Sequence, residues 1–151
     1  MKVTLLLRHD HETLRGLIDR FKNTGAHEQS RLHLFQEIRS ELRIHMQLAS
    51  ETLYSTLSAT PSDRAVELVA NAQQRSEMVE KLTDELNRMN PSDHNFDIRM
   101  NALIAEIEWH IEEEEERIFQ EARKTLPEYR LEELGLEMQN RREMLKVLAV
   151  V

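Results

Sequence analysis

Apolar residues recur along the chain at alternating steps of three and four, the spacing that gathers side chains on one face of an α-helix. Leu7, His11, Leu14, Ile18 and Phe21 form the first such stripe, in a helix predicted from about Val3 to Asn23. Asn23-Thr24-Gly25 ends it, glycine being the residue that most readily takes a left-handed terminating conformation. A second stripe, Leu34, Ile38, Leu42, His45, Ala49, Thr52 and Leu53, predicts a helix from about Glu28 to Ser58. The third helix opens at Thr60-Pro61-Ser62-Asp63, with Thr60 expected as the N-cap and Pro61 at the first helical position. Its stripe is Leu68, Ala72, Ser76, Val79, Leu82 and Leu86. Asn90-Pro91-Ser92-Asp93 closes it and starts a fourth, from about Asp93 to Thr125, whose stripe is Met100, Leu103, Ile107, His110, Glu114 and Ile118.

Four helices with short connections predict an all-α, up-down-up-down four-helix bundle over residues 1–126. Beyond Pro127 a further segment, Glu128 to about Ala149, carries Leu131, Leu134, Met138, Leu145 and Leu148 and is interrupted by Gly135. Residues 127–151 are therefore an additional C-terminal helix, expected to lie across the bundle, cover one flank or meet a second copy in a homo-oligomer.

Composition narrows the function classes. The chain has 151 residues, the size of one domain with a proper core. It has no cysteine, which removes disulfides, thiolate ligands and cysteine nucleophiles. Only 3 Gly and 3 Pro against 32% charged residues suits long helices. A net charge of −8 without clustered Lys and Arg argues against a nucleic-acid partner. No run approaches the ~20 apolar residues of a membrane span. The apolar start, Val3 to Leu7, breaks at Arg8-His9-Asp10 with no small-residue cleavage site after it, and reads as the first turns of a helix. A soluble, cytoplasmic protein is expected. Nothing pairs a nucleophile with a base and there is no nucleotide loop, so an enzyme is not.

The informative chemistry lies on the stripes. His11, His45 and His110 each fall near the middle of an inward face, and Glu114 follows His110 one turn later. Midpoints of antiparallel helices come level, so the three rings should share one height, with only Ala49, Ala72 and Ser76 around them. Buried imidazoles and carboxylates need partners, and three at one level with a carboxylate is how helical bundles hold a metal. Within the run Glu112 to Glu116, a helix turning about 100° per residue brings only Glu114 onto the face of His110. Glu112, Glu113 and Glu116 are expected on a solvated face. His9, His27, His33 and His94 are expected at the surface, and Trp109, Tyr54 and Phe119 as packing at the ends of the stripes.

These residues also carry a resemblance. Leu6-Leu7-Arg8-His9-Asp10-His11-Glu12-Thr13-Leu14 resembles the opening helix of the hemerythrin-like (HHE cation-binding) proteins. Glu41-Leu42-Arg43-Ile44-His45 with Glu51-Thr52-Leu53-Tyr54 is similar to their second motif, and Trp109-His110 through the acidic run to Ile118-Phe119 to their last. With the tail Leu131-Glu132-Glu133-Leu134-Gly135, the likeness spans nearly the whole chain. It implies a non-haem di-iron centre of several histidines and a pair of bridging carboxylates, and a role in handling or sensing O2, NO or iron. His11, His45, His110 and Glu114 match ligand positions. The bridging Glu expected four residues after His45 is Ala49, and the histidine of the third helix falls at or near Ser76. The usual His-His pair is Trp109-His110, and the prolines that close two motifs are Ser55 and Gln120. Glu51 is rotated too far to replace the missing bridge, and Gln73 and Glu80 are unconvincing substitutes. One iron per chain is thus expected in preference to two, with zinc or manganese as other occupants. The alternative is a metal-free helical scaffold that acts by protein contact.

Overall fold

The computed structural model describes residues 1–25 and 28–150, so His27 lies outside the described residues. Among the described residues five helical rods follow one another: α1 (Val3–Lys22); α2 (Glu28–Ala49, continuing through Ser50–Tyr54 and Ser55–Ser58); α3 (Asp63–Asn87); α4 (His94–Glu113, continuing through Glu114–Ile118 and Phe119–Thr125); and α5 (Glu128–Val150). The first four form the up-down-up-down bundle. No helix among the described residues is long and apolar enough to cross a membrane.

Local chemistry sets the boundaries. Gly25 takes a φ of 63°, the left-handed conformation that ends α1 at little steric cost. The N-cap of α3 is Ser62 rather than Thr60: its Oγ accepts from the Ala65 amide at 3.1 Å. Thr60 instead donates to the Leu57 carbonyl at the end of α2. Asp93 caps α4 by accepting from the Asn95 amide.

The expected stripes point inward, and their buried side chains fall into two apolar clusters. One contains Leu14, Ile18, Leu42, Val79, Leu103 and Ile107, and the other Leu7, Leu48, Leu53, Leu68, Ile118 and Phe119. Between them lie His11, His45, His110 and Glu114, each at most 2% exposed. A polar layer therefore divides the core at mid-height.

α5 packs on α1 and α2, seating Leu131, Leu134 and Met138 against the second cluster. Gly135 does not interrupt it. A Cβ at that position would drive into the Met1 carbonyl and stand 3.1 Å from the Val3 nitrogen. Glycine is what lets α5 cross the start of α1 this closely. Leu148, by contrast, is exposed.

Both α2 and α4 contain a π-turn, at Ser50–Tyr54 and Glu114–Ile118. In each, the histidine stands just upstream and an aromatic residue nine positions beyond it, Tyr54 after His45 and Phe119 after His110. Nine steps of about 100° along a regular helix would put those aromatics half a turn away; the extra residue of each π-turn brings them back toward the polar layer.

Candidate metal centre

Glu114 is the hub of the layer. Its Oε1 lies 2.7 Å from His11 Nε2, 2.8 Å from His45 Nε2 and 3.0 Å from His110 Nε2. Its Oε2 accepts from the Tyr54 hydroxyl at 2.6 Å. The nitrogens of His45 and His110 stand 3.2 Å apart. His11, His45 and Glu114 offer donor atoms all within 4.8 Å of one another. His110 joins through Glu114 and His45, its ring centroid 6.4 Å from that of His11. The four residues singled out in the sequence thus converge in one place.

The outer nitrogens are held as well. Within α1, Asp10 stands one residue before His11, about 100° around the helix, so α1 sends His11 to α4 and Asp10 to α2. There Asp10 Oδ2 accepts from His45 Nδ1 at 2.9 Å. Glu115 accepts from His11 Nδ1 at 2.6 Å. Each carboxylate has an arginine behind it: Arg142 Nη2 donates to both oxygens of Asp10 at 2.8 and 2.9 Å, and Arg15 lies 3.6 Å from Glu115. Phe119 stacks on His11, with ring centroids 5.9 Å apart and planes 7° from parallel, closing the layer from the apolar side.

This wiring fixes tautomers. A neutral histidine has one N–H and one lone pair. Asp10 and Glu115 take the N–H at Nδ1 of His45 and His11, so both rings turn a lone pair at Nε2 toward the same carboxylate oxygen. Lone pairs facing a carboxylate repel unless a cation stands among them. In the metal-free protein a proton on His45 serves as that cation. Burial alone would lower the pKa of His45, yet the charge of Glu114 and the bonds to Asp10 and Glu114 outweigh it and raise it to about 9. Burial likewise favours the neutral form of Glu114, but His110 and His45 beside it hold its carboxyl well below the usual range. Tyr54 is pushed well above its ordinary value, by burial first and then by the charge of Glu114.

His11, His45 and Glu114 bring two imidazoles and a carboxylate close enough to be offered to one transition-metal ion, with His110 beside them on Glu114. Three imidazoles and a carboxylate suit iron, zinc or manganese. Donors sharing an ion at about 2.1 Å stand about 3.0–3.4 Å from one another; the pairs of His11 and His45 with Glu114, at 2.7 and 2.8 Å, fall within a few tenths of an ångström of that, while His110 reaches the group through Glu114 and His45, at 3.0 and 3.2 Å. Ala49 is buried in the apolar cluster with nothing to coordinate. Ser76 donates to the Ala72 carbonyl and faces a groove of about 370 Å³ between α2 and α3. Gln73 and Glu80 line that same groove, and Glu51 is exposed and paired with Arg141. Among the described residues no second group of three metal-binding side chains comes together.

Several expectations need correction. Glu113 is not on a solvated face: it is 6% exposed and bonded to Arg117, while Glu112 and Glu116 are exposed. Tyr54 is more than packing, since it donates to the hub. Trp109 lies on the α3–α4 seam under the Arg75 guanidinium, 4.1 Å from its ring centroid. His9, His33 and His94 are exposed as expected. Asp10 and Glu115, each one residue from a marked ligand, were within reach of a reading by helical angle. Arg142 was not, lying 132 residues from Asp10 with nothing local to mark it.

A helical bundle whose core is split by three imidazoles around a carboxylate defines a class of cation-binding bundle proteins. The chain belongs to the hemerythrin HHE cation-binding domain family, whose sequence profile matches residues 3–122. Its structure is similar to the crystal structure of a hemerythrin HHE cation-binding domain-containing protein from Mycobacterium kansasii. That likeness has a TM-score of 0.86 at 25% identity and covers 99% of this chain and 90% of the other. No curated protein is significantly similar in sequence.

Proposed function

We propose that the protein is a non-haem iron protein that binds one metal ion per chain through His11, His45, His110 and Glu114, and that it handles or senses O2, NO or iron. The observation that carries this reading is the pair of histidines whose outer nitrogens are taken by Asp10 and Glu115 while their inner lone pairs converge on one carboxylate oxygen. A bound iron would supply an open coordination position and one-electron redox chemistry. The chain's residues prepare the place for it. Glu114 is held ionised, Tyr54 keeps its second oxygen occupied, and Asp10 and Glu115 hold two rings in the metal-binding tautomer. Phe119 and the two apolar clusters keep water from the layer.

Metal analysis of the purified protein, before and after reconstitution with Fe2+, tests the reading together with a visible spectrum. About one iron per chain is the expected stoichiometry, lost in His45→Ala. A protein that retains no Fe2+, Mn2+ or Zn2+ after reconstitution overturns it.

A second reading has its own observation. Glu114 already receives His11, His45, His110 and Tyr54, so the layer is hydrogen-bonded throughout without a metal when the rings are protonated. In that case the protein is a scaffold of the same family acting by contact, and the same metal analysis separates the two.

A further inference from the structure

We propose that Arg142 is a positioning residue of the centre: through Asp10 it fixes the ring of His45, and with it the affinity for a divalent transition metal. The inference rests on the reading of the layer as a metal site. It concerns α5, which lies beyond the residues matched by the family profile.

The chain of contacts is short. Arg142 Nη2 donates to both oxygens of Asp10, at 2.8 and 2.9 Å, and Asp10 Oδ2 accepts from His45 Nδ1 at 2.9 Å. The Asp10 side chain is only 9% exposed and that of Arg142 25%. Such a carboxylate has few partners other than these two, so its orientation is set by them. Removing Arg142 leaves Asp10 a single bond, to the ring it is meant to hold. Asp10 is then free to rotate toward water, and His45 loses the constraint on both its tautomer and its plane. Groups that orient a metal-binding histidine in this way typically govern affinity by 10–100-fold.

The rest of α5 makes that arginine a fixed point rather than a loose surface group. Lys2 pairs with Glu128 at the start of the helix. Gly135 seats it against Met1, and Leu134 and Met138 are buried beneath it. Arg141 reaches Glu51 one residue before the clamp. α5 thus lies across α1 and α2, the two helices that carry His11 and His45. The matching arginine behind Glu115 is weaker: Arg15 stands 3.6 Å away and its side chain is 52% exposed.

The test uses the full chain, with Co2+ as the probe metal. Metal-free wild type, Arg142→Met, Arg142→Lys and Arg141→Ala are titrated with Co2+, and the loaded proteins are examined by NMR for the shifted, exchangeable Nδ1–H of His45. Arg142→Met is expected to lose tenfold or more in affinity, with that signal exchanged away. Arg142→Lys, which keeps the charge but not the two-oxygen grip, should fall between. Arg141→Ala, which also loosens α5, should match wild type. Affinity of Arg142→Met within twofold of wild type, or higher, with the signal intact overturns the proposal while leaving the metal site standing. If Arg142→Met does not fold, equality of Arg142→Lys with wild type overturns it. Wild type that takes up no Co2+ overturns both this proposal and the reading beneath it.

Discussion

Tyr54 donates to Oε2 of Glu114 at 2.6 Å, joining the π-turn of α2 to that of α4 across 60 residues of sequence. Glu114 is fully buried and ionised, so every oxygen lone pair left without a donor is costly. Tyr54→Phe removes one donor and little volume. It should destabilise the protein by about 1–3 kcal/mol, the cost of stripping a partner from a buried charged acceptor. Urea denaturation measures this, and a loss under half of the lower figure would return Tyr54 to a packing role.

Protons and metal compete for the same nitrogens. His45 has a folded pKa near 9 against an ordinary 6.5. A raised pKa means stability fully present below pH 6.5 and lost as pH climbs through 9. The metal-free protein should therefore lose up to about 3 kcal/mol of unfolding free energy over that window, at 1.36 kcal/mol per pKa unit. Metal affinity should rise over the same window, because binding needs the ring neutral. A flat stability profile from pH 6 to 9.5 in metal-free protein would contradict the proton's role as stand-in cation.

On the proposed reading, the gap at Ala49 limits the centre to one ion. Ala49→Glu with Ser76→His restores a carboxylate and an imidazole at the level of the existing donors, and occupancy should rise toward two ions per chain. Without metal, Glu at 49 is a buried charge among Leu48, Leu53 and Leu68, and should cost a few kcal/mol. Loaded and metal-free stabilities should diverge far more in the double variant than in wild type. Two irons in the unaltered protein, counted by metal analysis, would mean that other side chains complete a second site.

Gly135→Ala sets two effects against each other. Alanine gains roughly 1 kcal/mol of helix propensity over glycine. Its Cβ, however, meets the Met1 carbonyl and the Val3 nitrogen, both backbone. The clash should win, with a net loss of about 1–3 kcal/mol by analogy with overpacked cores. A thermal midpoint above that of wild type would show that the start of α1 yields instead.

Much of this protein is decided by its sequence alone. Period-3.6 stripes, Gly25 and Asp93 mark the rods, because helix formation and capping depend on residues within a few positions of each other. The level of His11, His45, His110 and Glu114 follows too, since antiparallel rods joined by short loops must align their middles. What the tertiary structure alone decides are contacts that no local rule encodes. Arg142 reaches Asp10 because α5 folds back over α1, and Gly135 matters because of where Met1 crosses it. Tyr54 turns to Glu114 through a π-turn, a one-residue widening without a composition signal of its own. Glu113 is buried because Arg117, one turn on, answers its charge. Periodicity finds the face a side chain occupies; only packing decides which partner meets it there.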